Sequence, residues 1–165
     1  MTAQMKKFLV PLSLLCLLGM LAFGLQHRPA APDVTFTTIQ GKKISMASLK
    51  GKVVLVSFWA TDCSSCNKEM PDLVNTYNAY KAKGFEVIAV AMPYDPPALV
   101  LNYATQKSLP FPVMHDGFSE ASQTFGGINA TPTAFLFDKQ GKRLDRTIGI
   151  LDFAKLRATL DRELG

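Results

Sequence analysis

The stretch "SFWATDCSSCNKEMP", residues 57–71, is the most informative part of this 165-residue sequence. It leads from an apolar run into a polar segment with helical spacing, and it separates Cys63 from Cys66 by two serines. The third cysteine, Cys16, lies in an apolar segment far from this pair. Cysteines at this spacing occur in structural disulfides, in metal sites and in redox-active centres. The rest of the sequence must discriminate among these three kinds of site.

An uncharged apolar segment, residues 8–25, follows Lys6 and Lys7 near the N-terminus. As a helix it reaches about 27 Å, close to the thickness of the hydrocarbon core of a membrane. It is longer than the core of a cleaved export signal, and "LAFGLQH" makes a poor cleavage site, so an uncleaved anchor is favoured. The positive flank predicts a cytoplasmic N-terminus, with the rest of the chain outside the cytoplasm. Cys16 is then an inert, lipid-facing thiol.

The chain after this segment has the composition of one globular domain, with 48% hydrophobic and 19% charged residues overall. We predict that residues 1–28 contain the anchor and the start of a linker, that the linker continues through 29–34, and that one domain occupies 35–165. Residues 29–165 carry 15 lysines and arginines against 13 aspartates and glutamates. This balance gives no indication of nucleic-acid binding, and we expect the soluble domain to be monomeric.

The cysteine count argues against a structural disulfide. Small exported domains that are stabilised by disulfides normally have four or more cysteines, whereas this domain has two. A bond between Cys63 and Cys66 closes so short a loop that its effect on the entropy of the unfolded chain is small. Redox chemistry is therefore the favoured interpretation. The alternative is a copper-handling protein that holds Cu(I) between the two thiolates, although no histidine or third cysteine lies close in sequence.

The hydrophobic pattern predicts an α/β fold. "VVLVSF" is typical of a strand buried on both faces, and an amphipathic helix runs from the cysteines to Gly84. "FEVIAVAM" is the next strand, and a strand-helix-strand unit of this length predicts a parallel, right-handed crossover. The other predicted elements are a hairpin turning at residues 40–41, a helix opened by 96–97, a strand within 111–116, a short helix ended by 126–127, a hairpin turning at 139–141 and a last helix from 152.

The two cysteines occupy different positions in this pattern. Cys63 comes at the start of the helix, where free backbone N–H groups and the helix dipole favour a thiolate. Cys66 lies one turn further, on the apolar face, where it is shielded. We therefore expect Cys63 to attack a partner disulfide and Cys66 to resolve the mixed disulfide that results.

Several motifs together resemble the thioredoxin superfamily, in particular the membrane-anchored TlpA-like and ResA-like thiol-disulfide oxidoreductases. They are "FWAT", a C-x-x-C that opens a helix, "KEMP" after it, and "ATPT" before an apolar strand. The likeness covers residues 35–165. It implies a thioredoxin-like fold, with a central mixed β-sheet flanked by helices, an N-terminal β-hairpin and a helix-strand insertion between the two halves.

The resemblance also implies a cis peptide bond before Pro132, which lays a backbone edge beside the cysteines for an extended segment of a partner protein. No metal ligand is expected, and no cofactor other than the redox-active Cys63–Cys66 disulfide. The candidate catalytic residues are Cys63, Cys66 and Glu69, and the candidate substrate-binding residues are Trp59, Asp62, Thr131 and Pro132.

The sequence departs from the family pattern in three places. Asp62 stands where a tryptophan usually precedes the first cysteine, and the dipeptide Ser64-Ser65 contains no proline. Ser57 occupies the position of the buried aspartate of thioredoxin and cannot act as a base near neutral pH. Glu69 is the candidate replacement, and the alternative is that it points to water and only interacts with the helix dipole.

The resemblance implies reduction of protein disulfides, with cytochrome c maturation or another pathway for exported proteins as the setting. A membrane electron donor would then reduce the cysteine pair again. A peroxide-reducing enzyme is less favoured, because the lone reactive cysteine of the peroxiredoxins lies in a different sequence setting.

Overall fold

The structure is a computed structural model that describes residues 28–165 together with Gly19. The predicted anchor, residues 8–25, lies outside the described residues except for Gly19. Within the described part of the chain, no helix has both the length and the apolar character needed to cross a membrane.

A short hairpin precedes the main sheet. Strand β1 (Thr35–Thr37) pairs in antiparallel fashion with strand β2 (Lys43–Ser45). Gly41 lies in the turn with a φ of 81°, a conformation that glycine adopts without a steric penalty. Phe36 projects from β1 into the core and is fully buried. The hairpin predicted around residues 40–41 is therefore confirmed.

A five-stranded mixed sheet forms the centre of the fold. Its strands are β3 (Val53–Trp59), β4 (Phe85–Ala91), β5 (Val113–His115), β6 (Thr133–Phe137) and β7 (Arg143–Ile148). They are arranged in the order β5-β4-β3-β6-β7. β3, β4 and β5 are parallel to one another, whereas β6 is antiparallel to both β3 and β7. This is the predicted thioredoxin-like α/β arrangement.

Helices cover the sheet. They are α1 (Ser64–Tyr80), α2 (Pro97–Gln106), α3 (Glu120–Thr124) and α4 (Phe153–Leu164). α1 connects the parallel strands β3 and β4, as the crossover prediction requires. α2 and β5 form the predicted helix-strand insertion between the halves of the fold. Asp152 caps α4 by accepting a hydrogen bond from the backbone N–H of Lys155, which confirms the predicted start of the last helix.

The central strand β3 contributes to the core on both sides of the sheet, because successive side chains of a strand point to opposite faces. Val53, Leu55 and Trp59 pack in a cluster with residues of α1, α2 and α4. Val54, Val56 and Phe58 pack in a second cluster with residues of the hairpin and of α3. All seven residues of β3 are consequently buried, which explains why its sequence is apolar at every position except Ser57.

The prediction that residues 29–34 form a linker needs correction. Pro29 O accepts a hydrogen bond from the N–H of Arg143 at 2.8 Å, and the N–H of Ala31 donates to Gly141 O at 2.7 Å. Ala30 also forms a β-bridge with Lys142. These backbone contacts attach the segment to the β6–β7 hairpin, so residues 29–31 are part of the folded unit.

The cysteine motif leaves the sheet at one defined edge. β7 runs parallel to β3, since both are antiparallel to β6. The C-terminal ends of β3, β4, β5 and β7 therefore lie at the same edge, together with the start of β6. The pairing of Phe58 with Thr133 brings the segment before Thr133 to the end of β3, from which the cysteine loop departs.

Candidate active site

Cys63 and Cys66 form a disulfide at the N-terminus of α1, with their Sγ atoms 2.13 Å apart. Cys63 is the N-cap residue, and its Sγ accepts a hydrogen bond from the backbone N–H of Cys66 at 3.2 Å. The hydroxyl of Ser65 lies 3.4 Å from the same sulfur. These positions confirm the prediction that the first cysteine occupies a helix start.

The two cysteines differ in exposure. Cys63 is half-buried, whereas Cys66 is 0% exposed. A partner can therefore reach only the Cys63 sulfur. When the disulfide is open, the N–H of Cys66 and the dipole of α1 both stabilise a thiolate at Cys63.

Glu69 lies in the second turn of α1 and is buried, with 4% of its surface exposed. Its Oε2 atom accepts a hydrogen bond from the backbone N–H of Leu151 at 3.0 Å. Burial raises the pKa of the Glu69 carboxyl, and the hydrogen bond from Leu151 partly offsets this effect. The alternative in which Glu69 points to water is therefore wrong.

Trp59 is also buried, with 1% of its surface exposed, and its ring lies 5.0 Å from that of Tyr103 between centroids. The indole Nε1 has no hydrogen-bond partner among the described residues. The side chain lies beneath the surface in the hydrophobic core, and its predicted role in substrate binding stays a prediction.

The Thr131-Pro132 peptide bond is cis, as the resemblance implies. The carbonyl oxygen of Pro132 accepts a hydrogen bond from Gly149 at 2.8 Å. Thr131 is half-buried, and its hydroxyl lies 3.5 Å from that of the exposed Tyr94. Tyr94 belongs to the loop after β4, and Thr131 belongs to the loop before β6. These two loops lie at the edge of the sheet that carries the cysteines, and they meet at Thr131.

Two positions that depart from the family pattern lie in different environments. Asp62 is exposed directly before Cys63. Ser57 is buried within β3, paired with Ala89 and Ala134 in the neighbouring strands. The described residues contain no group of three or more histidine, cysteine, aspartate or glutamate side chains placed to hold a metal ion.

Comparison with known proteins agrees with this geometry. The model of the family described as Redoxin matches residues 26–159. The chain belongs to the redoxin family. The thiol-disulfide oxidoreductase ResA of Bacillus thuringiensis (strain Al Hakam) is 41% identical over 119 residues, which cover 72% of this chain and 68% of the relative.

Two solved structures share the fold of this redoxin. A candidate thioredoxin from Neisseria meningitidis is 41% identical, with a TM-score of 0.75, over 81% of this chain and 88% of the other. A thiol:disulfide interchange protein from Chlorobium tepidum is 31% identical, with a TM-score of 0.74, over 84% and 98% of the respective chains. With its disulfide at a helix start, this redoxin is a ResA-like thiol-disulfide oxidoreductase.

The sequence analysis missed two residues beside the redox centre of this redoxin. The carboxylate of Asp95 accepts hydrogen bonds from the backbone N–H and from the hydroxyl of Thr61, both at 2.6 Å. Thr61 lies two residues before Cys63. The available signal was an acidic residue in the loop after the strand that neighbours β3, because parallel strands place such loops at the same edge.

Proposed function

We propose that this redoxin reduces disulfides of exported proteins while it is tethered to the outer side of the bacterial inner membrane. The observation that carries the proposal is the contrast between a half-exposed Cys63 at a helix start and a fully buried Cys66. In this arrangement the Cys63 sulfur is accessible to the substrate, whereas the Cys66 sulfur is shielded and attacks only after the mixed disulfide has formed.

The proposed reaction takes place in two steps. The Cys63 thiolate attacks a sulfur of the substrate disulfide, a mixed disulfide forms, and the first substrate sulfur leaves as a thiolate. The Cys66 thiolate then attacks Cys63 Sγ and releases the second substrate sulfur. The substrate gains two electrons and two protons, and the redoxin retains the Cys63–Cys66 disulfide.

Glu69 is proposed to receive the proton of Cys66 during the second step. It is three residues after Cys66 on the same face of α1, and both side chains are buried. Because burial raises the pKa of Glu69, its carboxylate is a better proton acceptor than an exposed one.

Residues 62 and 131 are proposed to meet the protein substrate. Asp62 is exposed beside Cys63, and Thr131 precedes the cis proline at the same edge of the sheet. A partner segment that lies between them brings its disulfide to Cys63, and the buried Pro132 lies beneath that segment.

The membrane tether rests on the sequence, since residues 8–25 are uncharged and follow Lys6 and Lys7. Export implies that the cysteine pair is reduced again by a dithiol donor in the membrane. The reductive direction follows from the resemblance to ResA-like proteins, for which cytochrome c maturation is the candidate setting.

The test is the equilibrium of the cysteine pair with glutathione. A reduction potential near that of thioredoxin, about −270 mV, supports a reductant, whereas a value near about −120 mV indicates a disulfide donor. The reduced protein should be assayed for copper in the same preparation. Stoichiometric Cu(I) that is lost in both Cys63→Ser and Cys66→Ser would favour the copper-handling alternative.

A further inference from the structure

The side chain of Asp95 is a buried carboxylate that is hydrogen-bonded to the loop before Cys63. Only 3% of its surface is exposed, and no lysine or arginine of the described chain forms an ion pair with it. Both of its oxygens accept hydrogen bonds from one residue, Thr61, at 2.6 Å. A buried carboxylate without a cation is costly, so the hydrogen bonds that it makes must offset this cost.

Capping of the adjacent helix does not provide that explanation. The N-cap residue of α2 is Pro96, and no side chain forms a capping hydrogen bond there. The loop that carries Asp95 is itself fixed, because the imidazole Nε2 of His115 lies 2.7 Å from Asp95 O. The N–H of Asp95 also donates to Met92 O at 3.0 Å. These two contacts fix the backbone of Asp95, and its side chain in turn holds Thr61 in place.

Thr61 is fixed from the opposite side as well. Its carbonyl oxygen accepts a hydrogen bond from the side-chain amide of Asn67 in α1, at 2.9 Å. The N–H of Cys63 donates to Ala60 O at 3.2 Å, which closes a turn around Thr61. The hydrogen bonds of Thr61 therefore connect the loop after β4 to the first turn of α1, with Cys63 between them.

These contacts have a different importance in the two redox states. In the oxidised state the covalent bond to Cys66 holds Cys63 at the helix start, whatever the loop contributes. In the reduced state this bond is absent, and the position of Cys63 depends on the loop. Without the covalent bond, the contact between Thr61 and Asp95 keeps Cys63 at the helix start, where the N–H of Cys66 and the dipole of α1 stabilise a thiolate, a charge that the disulfide does not carry.

We propose that the hydrogen-bonded pair Thr61 and Asp95 is a positioning element that keeps Cys63 at the N-terminus of α1 when the disulfide is open, and so shifts the redox equilibrium towards the dithiol. The proposal rests on the proposed function, because it concerns the same cysteine pair. It assigns to both residues an indirect role, through the placement of Cys63.

Thr61→Val tests the proposal, since it removes the hydroxyl donor and preserves the shape and the backbone N–H. We expect the glutathione equilibrium constant to shift about three- to tenfold towards the disulfide. The shift is limited because only part of the free energy of a hydrogen bond to a charged group differs between the two redox states. For a two-electron couple this shift is about 14 to 30 mV more negative. Thr61→Ser, which restores the hydroxyl, should return the constant to within about twofold of wild type.

Thr105→Val is the matched control, because this exposed threonine in α2 donates its hydroxyl to Leu101 O, away from the cysteines. It should leave the equilibrium constant unchanged. If Thr61→Val does not fold, Thr61→Ala provides the same loss of the hydroxyl. Equal constants for wild type and Thr61→Val, or a shift towards the dithiol, would overturn the proposal.

Unfolding of both redox forms distinguishes positioning from simple support. A structural role lowers the free energy of unfolding equally in the oxidised and reduced proteins, whereas positioning lowers it more in the reduced one. In a double-mutant cycle with Asp95→Asn, additive effects on the equilibrium constant would also contradict the pairing. A wild-type protein that does not exchange with glutathione would overturn the proposed function together with this inference.

Discussion

Glu69 in the second turn of α1 accepts a hydrogen bond from the backbone N–H of Leu151, 82 positions further along the chain, at 3.0 Å. Leu151 lies in the loop between β7 and α4. The contact draws the carboxylate inward from the helix, to the interior where Cys66 is also buried. A carboxylate in this position is expected to affect both the stability and the chemistry of the site.

Stability should depend on pH through Glu69. Its pKa is raised from the ordinary value of 4.5, chiefly by burial. The native state then keeps the proton at pH values where the unfolded chain has released it, so the free energy of unfolding falls as the pH rises from 4.5 through the raised pKa. Glu69→Gln cannot titrate and should lack this part of the decline.

Chemical denaturation of the oxidised protein between about pH 4.5 and pH 8 measures this effect, since the disulfide prevents the cysteines from titrating. Glu120→Gln is the control, because Glu120 is exposed in α3. Its pH profile should follow that of wild type. Parallel profiles for wild type and Glu69→Gln would show that burial does not perturb this carboxyl.

Catalysis should be affected by the same substitution at one step. If Glu69 accepts the proton of Cys66, Glu69→Gln should slow resolution of the mixed disulfide and change the pH dependence of Cys66, with the attack by Cys63 less affected. General bases contribute about 10²–10⁴-fold, and a thiol that ionises partly without help should lie at or below the low end. Stopped-flow turnover of a model disulfide measures both steps, and unchanged rates from about pH 6 to 9, around the ordinary thiol pKa, would contradict the role.

The cysteines should differ in reactivity towards iodoacetamide. Cys63 is half-buried at the start of α1, whereas Cys66 has no exposed surface. In the reduced protein at neutral pH, mass spectrometry of timed samples should therefore find alkylation of Cys63 well before that of Cys66. Equal rates would mean that the site opens fully upon reduction and that the division of roles is wrong.

Much of the fold follows from local sequence patterns. The apolar run of β3, broken only by Ser57, predicts a central strand, because such a strand is buried on both faces. Cys63 at the boundary between strand and helix predicts a helix start, and Asp152 predicts another. The linker boundary was misplaced, since the backbone contacts of residues 29–31 with the β6–β7 hairpin leave no pattern in the side chains.

The site is only partly predictable for a related reason. Cys63 and Cys66 carry a spacing that identifies them, and the cis proline follows from the resemblance. The burial of Glu69 depends on Leu151, and the role of Thr61 depends on Asp95, 34 positions away. Such contacts are set by the packing of distant elements, so the sequence alone does not reveal them.

Covalent trapping should identify the physiological partner and test the order of attack. In Cys66→Ser, the exposed Cys63 still attacks a substrate disulfide, but no second thiol is available to resolve the adduct, so a mixed disulfide should accumulate in cells. In Cys63→Ser, the remaining thiol has no exposed surface in the structure and should trap nothing. Affinity purification without reductant, followed by elution with dithiothreitol, separates the trapped proteins from other contaminants. Equal trapping by both variants would show that Cys66 is also reachable, and the assignment of attacking and resolving cysteines would then have to be abandoned.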